Sequence, residues 1–252
     1  MHHLRRTFWI ILALLFAVRP AAAMDSLLVF AAASTQPVVN ALIPVLKSHG
    51  ITVTAVFASS ATLARQIEQG GHVDAYITAH GKWMDYLEGL NLIQPGTRQN
   101  VAINRLALIS GQDIDLTRVI KSIASALDGG RLAIANPQSV PAGLYAKQAL
   151  LNTGQWAALK DHLAPAKDVT GALMLVARGE VPLGIVYASD VKRSSDIKAS
   201  ALFPNDSHDP IVYQVAGITG AKSPALDQFL AVLSGPEGAA AFQDAGFGPI
   251  KP

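Results

Sequence analysis

The sequence predicts an α/β protein built on open, mostly parallel sheets flanked by helices. Short apolar or β-branched runs alternate with segments of helical spacing, the order expected of parallel strands joined by crossover helices. Half of the 252 residues are hydrophobic, enough to build a sizeable core. No internal repeat, low-complexity tract or flexible linker divides the chain. Any division into two lobes must therefore run through strands or short crossovers.

Each element follows from its residues. Ser26-Leu-Leu-Val-Phe-Ala-Ala-Ala reads as a short buried strand. Val38 to Lys47 places Val38, Val39, Leu42, Ile43, Val45 and Leu46 at helical spacing, and Gly50 is a stop signal. Ile51 to Phe57 alternates β-branched residues and predicts a second strand. Ala61 to Gln69 carries Leu63, Ala64 and Ile67 on one helical face and ends at Gly70-Gly71. Val73–Thr78 is a third strand, and Lys82 to Leu87 starts another helix. Farther on, Leu106–Ser110, Arg131–Ala135, Leu183–Tyr187 and Ile211–Ile218 read as strands. Gly143–Asn152, Val169–Arg178, Ala225–Leu233 and Gly238–Ala245 read as helices. The long runs at Val101–Ile109 and Ile211–Ile218 are the natural crossings between lobes.

Composition narrows the function. Without cysteine there is no disulfide framework, thiolate–zinc site or thiol nucleophile. A formal charge of +2 is no nucleic-acid footprint. Arg5 and Arg6, the apolar run Phe8–Val18 and Ala21-Ala22-Ala23 predict a cleaved secretory signal over residues 1–23. The apolar run is too short for a membrane span, which takes ~20 residues. Removing this leader takes away Arg5, Arg6 and Arg19 and no acid, which moves the charge from +2 to −1. The mature protein is expected to be soluble outside the cytoplasm.

Four junctions carry the candidate chemistry. Ala33-Ser34-Thr35, Ala58-Ser59-Ser60-Ala61-Thr62, Val140-Pro141-Ala142-Gly143 and Lys167-Asp168-Val169-Thr170 each run into a helix through small or hydroxyl residues. A helix start offers unpaired N–H groups and a partial positive charge, a ready site for an anion. Open α/β sheets also bind ligands at the carboxyl ends of their strands. Taken singly, each junction reads first as plain capping, since Ser, Thr and Asp are ordinary N-caps and Pro an ordinary first-turn residue. Tyr187, at the end of a strand, is either a half-buried aromatic or a phenol donor pointing into a cleft. Asp168 reads as an N-cap holding its helix start. His49, His72, His80, His162 and His208 lack metal-ligand spacing. A secreted serine hydrolase, with Ser34 or Ser60 as nucleophile and His80 or His208 as base, is a rival without a nucleophile-elbow motif. A structural or adhesive protein that binds no ligand is another.

Longer segments go beyond such generic signals. They are Val29–Ser34, Phe57–Glu68, Lys82–Tyr86, Asn136–Lys147, Leu183–Asp190 and Phe203–His208. In this order, over nearly the whole mature chain, they closely resemble the periplasmic molybdate-binding protein of bacterial ABC transporters. The resemblance implies a two-lobed periplasmic binding protein, type II-like, with an oxyanion held between the lobes by neutral donors. Ser34 and Ser60 would each give hydroxyl and backbone N–H, Ala142 and Val169 backbone N–H, and Tyr187 its phenolic O–H. The implied ligand is molybdate or tungstate, with sulfate or thiosulfate as the alternative oxyanions. No cofactor and no metal cation is expected, because molybdenum enters as its oxyanion. The expected partner is the membrane permease of the importer, and the protein is expected to be a periplasmic monomer that binds no nucleic acid and is not an enzyme. The lobes are expected at 24–103 with 216–252, and at 104–215. Gln36-Pro37-Val38-Val39, Thr78-Ala-His80 and Asn136 depart from the family pattern, which is more acidic there.

Overall fold

The computed structural model describes residues 25–250, so the expected leader lies outside the described residues. The chain first lays down β1 (Asp25–Ala32), α1 (Gln36–Ser48), β2 (Ile51–Ala58), α2 (Ser60–Glu68), β3 (Ala75–Thr78), α3 (Gly81–Gly89) and β4 (Gln99–Asn104). It continues through β5 (Leu106–Ser110), α4 (Leu116–Val119), β6 (Leu132–Ala135), α5 (Pro141–Asn152), α6 (Trp156–Leu159) and β7 (Leu163–Ala166). Next come α7 (Val169–Ala177), β8 (Leu183–Tyr187), α8 (Ala188–Val191) and β9 (Ala199–Leu202). The chain then returns through β10 (Ile211–Gly217) and ends in α9 (Leu226–Ser234) and α10 (Pro236–Asp244). Among the described residues no helix is long and apolar enough to cross a membrane.

Two five-stranded sheets result, ordered β2-β1-β3-β10-β4 and β7-β6-β8-β5-β9. The fold is thus the expected two-lobed α/β architecture, with each sheet mixed in its pairing. β1 pairs parallel with β2 and β3, while β10 pairs antiparallel with β3 and β4. β6 pairs parallel with β7 and β8, while β5 pairs antiparallel with β8 and β9. Four strands of each sheet therefore run one way and one runs against them. The reversed strand is the one that enters from the other lobe, β5 after β4 and β10 after β9. Sheet membership changes at Arg105 and again between Leu202 and Ile211. The expected border after residue 215 consequently falls inside β10, all of which pairs in the first sheet.

Burial explains why these segments take their places. Helices cover both faces of the central strands, so β1, β5, β6 and β8 read as nearly continuous apolar runs. α1 buries Val38, Val39, Leu42 and Leu46 and turns Pro44 outward, where the carbonyl that a proline leaves unpaired can meet water. β7 carries Pro165, which is tolerated because β7 is an edge strand. The apolar run Val101–Ile109 is broken at Arg105 into two strands of different sheets.

Candidate functional site

The four junctions converge. Ser34 lies in a 3-10 turn, Ala33–Thr35, between β1 and α1. Ser60 is the first residue of α2, Ala142 the second of α5 and Val169 the first of α7. Tyr187 closes β8. All five line one cavity of about 20 Å³ beyond the carboxyl ends of β1, β2, β6, β7 and β8. One water needs about 10–15 Å³ on the same measure, so the space suits a compact ligand rather than a sugar or peptide. The rest of the lining is mostly small: Ala32, Ala33, Ala58, Ser59, Ala79, Val140 and Pro141, with Asp168. Small side chains let a ligand approach the backbone of the helix starts.

The helix starts are arranged to leave donors. The first N–H groups of a helix have no acceptor within it. Asp168 Oδ1 accepts from Gly171 N–H at 2.8 Å, and Ser59 Oγ accepts from Thr62 N–H at 3.1 Å. Both caps reach the third residue of their helix and leave Val169 and Ser60 uncapped. At α5, Val140 makes no side-chain cap, and Pro141 occupies the first position, where its missing N–H costs nothing. Gly143 lets this helix start come in close. A Cβ there would collide with the Ala135 and Asn136 carbonyl oxygens at the end of β6.

The side-chain hydroxyls are just as constrained. Ser60 Oγ accepts from Ala79 N–H at 3.1 Å, and Tyr76 Oη donates to the Ser60 carbonyl at 2.8 Å. Ser34 Oγ lies 2.8 Å from Tyr213 Oη, with both side chains buried. The Tyr187 hydroxyl is buried and has no hydrogen-bond partner among the described residues. Burial holds its pKa well above the ordinary phenol value, reinforced by Tyr213, Tyr145 and Asp190, so it keeps its proton. A buried unpaired donor in a lined cavity is a structural pointer to a ligand. None of the described lining residues is Lys, Arg or His.

Contacts across the cleft bring the lobes together on both sides of the cavity. Trp83 Nε1 donates to the Ser139 carbonyl at 3.0 Å, and the His80 ring stacks on Tyr145 at 4.6 Å. His80 Nδ1 accepts from Lys82 N–H, which makes it the N-cap of α3. Opposite, Arg193 Nη1 is 3.1 Å from the buried Asp190 carboxylate, 3.3 Å from Thr170 Oγ1 and 3.5 Å from the Ala33 carbonyl. Burial pushes Asp190 up to about 6 against the opposing pull of Arg193. Asp190 also accepts from Tyr187 N–H at 3.2 Å, which ties the end of β8 to this ion pair.

The hydrolase constellation is not assembled among the described residues. Ser34 pairs with Tyr213 and Ser60 with Ala79, whereas His80 faces Tyr145 and His208 Nδ1 pairs with the Asp209 carbonyl. No group of three His, Cys, Asp or Glu is gathered for a metal ion among the described residues. Sequence reasoning missed Tyr213, Ala79, Asp190 and Arg193. Tyr213 sits at an inward position of an alternating strand, where an aromatic reads as core. Ala79 acts through its backbone and carries no side-chain signal.

Known proteins resemble the chain over most of its length. The family described as bacterial extracellular solute-binding protein matches residues 27–248. Molybdate-binding protein ModA of Escherichia coli (strain K12) is 44% identical over 242 residues, 93% of this chain and 94% of the relative. ModA of Haemophilus influenzae is 39% identical over 222 residues, covering 84% and 85%. The periplasmic molybdate-binding protein of Azotobacter vinelandii superposes with a TM-score of 0.79 at 24% identity, over 90% of this chain and 99% of that one, a likeness of fold.

Proposed function

The chain belongs to the bacterial extracellular solute-binding protein family, and we propose that it binds molybdate, or its near twin tungstate, in the interlobe cavity. It hands the anion to the membrane permease of an ABC importer, acting in the periplasm as a monomer after loss of the leader. Its work is binding, not catalysis. The observation that carries this reading is the donor set: an unpaired buried phenol beside helix first turns, in a cavity whose described lining offers no cation.

The proposed ligands are the hydroxyl and N–H of Ser34 and Ser60, the N–H of Ala142 and Val169, and the phenol of Tyr187. Molybdate and tungstate carry no proton at neutral pH, so a donor set matches all of their oxygens. Hydrogen phosphate keeps a proton that the proposed donors cannot accept, which leaves a buried group unpaired. Sulfate has the same charge and shape but shorter bonds. Donors fixed on rigid helix starts cannot all close on it, so size does the sorting. Each charge-assisted bond contributes ~1.5–3 kcal/mol. Anion dehydration and lobe closure consume much of the total. Charge is spread into helix starts and peptide dipoles, in a closed cleft where the local dielectric is low. The closed form that the ligand favours is the form the permease reads.

Competition calorimetry with molybdate, tungstate, sulfate and phosphate tests the reading. Molybdate and tungstate are expected to bind and to displace each other, with sulfate and phosphate failing to compete in large excess. Tight sulfate binding would instead favour the sulfate or thiosulfate alternative.

A further inference from the structure

We infer that Tyr213 is a positioning residue for the anion site: its phenolic hydrogen goes to Ser34 Oγ, which leaves the serine's own hydrogen for the ligand. The inference rests on the oxyanion reading above. Tyr213 is fully buried and is not among the residues lining the cavity, so any effect it has on binding must pass through a neighbour. That neighbour is Ser34, 2.8 Å away.

Chemistry sets the direction of the bond. A phenol, with an ordinary pKa of about 10, is a stronger donor than an aliphatic alcohol. Burial raises Tyr213 well above that value, so the proton stays on the ring oxygen. The side-chain oxygen of nearby Asn104 accepts from two backbone donors, Arg105 N–H at 2.9 Å and Ser189 N–H at 3.5 Å. Ser34 Oγ, at 2.8 Å, is the acceptor at hydrogen-bond distance. A serine hydroxyl that accepts from behind still has one hydrogen to give. Ser60 shows the same arrangement by another route, accepting from Ala79 N–H. Each proposed serine ligand thus accepts from a fixed donor, Tyr213 Oη or Ala79 N–H. A chain running Tyr213 to Ser34 to anion also polarises in one direction, which strengthens each link.

The fold holds the ring for this role. The β10–β4 pairing steps from Tyr213↔Ala102 to Gln214↔Asn100, so Val101 is an extra residue at that point. Such bulges re-aim neighbouring side chains near sites. Tyr187 and Phe247 pack edge-on against the Tyr213 ring at 6.0 and 5.0 Å.

A double-mutant cycle on molybdate affinity tests the assignment. Tyr213→Phe is expected to weaken binding about fivefold, the loss of one neutral hydrogen bond. Ser34→Ala weakens it too, and adding Tyr213→Phe to Ser34→Ala is expected to bring no further loss. Full additivity, or an unchanged dissociation constant for Tyr213→Phe, would overturn the inference. A second measurement leaves the packing in place. Replacing Tyr213 by 3-fluorotyrosine makes the phenol a stronger donor and should tighten binding about twofold. Weaker or unchanged binding there would show that the proton does not run from Tyr213 to Ser34. Wild-type protein that binds no molybdate, tungstate or sulfate would bring down the oxyanion reading itself, and this assignment with it.

Discussion

The hydroxyl groups of Tyr187, Ser59 and Ser60 are put to three different uses. Tyr187 Oη is buried without a partner among the described residues, an arrangement that costs roughly 1–3 kcal/mol. Tyr187→Phe removes that cost from the empty protein while removing one of the proposed ligand donors. We therefore expect a melting temperature without ligand that is unchanged or higher, together with about tenfold weaker molybdate binding, a ~1.4 kcal/mol effect. Scanning calorimetry and titration on the same variant check both halves. Ser59 and Ser60 are neighbours of the same residue type, and spacing alone cannot separate them. The structure separates them by hydrogen bonding: Ser59 caps α2 through Thr62, whereas Ser60 accepts from Ala79 across from β3. The family likeness named Ser60 from the sequence, but only the fold shows what fixes its orientation. Tyr213 was illegible because its partner lies 179 residues away along the chain.

At the scale of elements, the sequence was most readable where periodicity was strong. The strands Leu106–Ser110 and Leu183–Tyr187 appear with the expected bounds, and α1, α5 and α7 lie within a few residues of theirs. The weakly patterned elements were missed. β7 has a proline in its middle, β9 alternates with small polar residues, and α4, α6 and α8 are single turns too short to show a helical period. The direction of pairing was also hidden, because a reversed strand buried on both faces has the same composition as a parallel one. The site depends on how closely α5 approaches β6, and Gly143 sets that distance. Gly143→Ala must push the helix start away from the Ala135 and Asn136 carbonyls, at a cost of roughly 1–3 kcal/mol. Thermal denaturation should show that loss. Titration should show weaker molybdate binding as well, because the Ala142 N–H, a proposed ligand, moves with the helix.

Over the whole molecule, the two lobes meet through contacts with opposite responses to acid. His80 caps α3 through Nδ1 and stacks on Tyr145 of the other lobe. Burial lowers its pKa below 6.5, helped by Lys82 and opposed by Asp209 and Asp85. The unfolded chain therefore binds more protons at His80, and the stability this residue contributes is lost as pH falls from about 6.5 through the folded value. Asp190, raised to about 6, acts with the other sign, since its folded form holds the proton more tightly. His80→Asn keeps a capping side chain and removes the titration. Melting curves between pH 7 and pH 5.5 are expected to fall less steeply for this variant than for wild type, and the difference isolates His80. The strand order of the first sheet has a consequence for biosynthesis. β10 stands between β3 and β4, yet more than a hundred residues are made after β4 before it appears. A ribosome releasing this chain produces a half-sheet with an open slot, while the intervening segment can already complete its own sheet. The N-terminal portion thus stays unfinished until translation is nearly over, and its closing step waits on a strand that arrives after the second lobe.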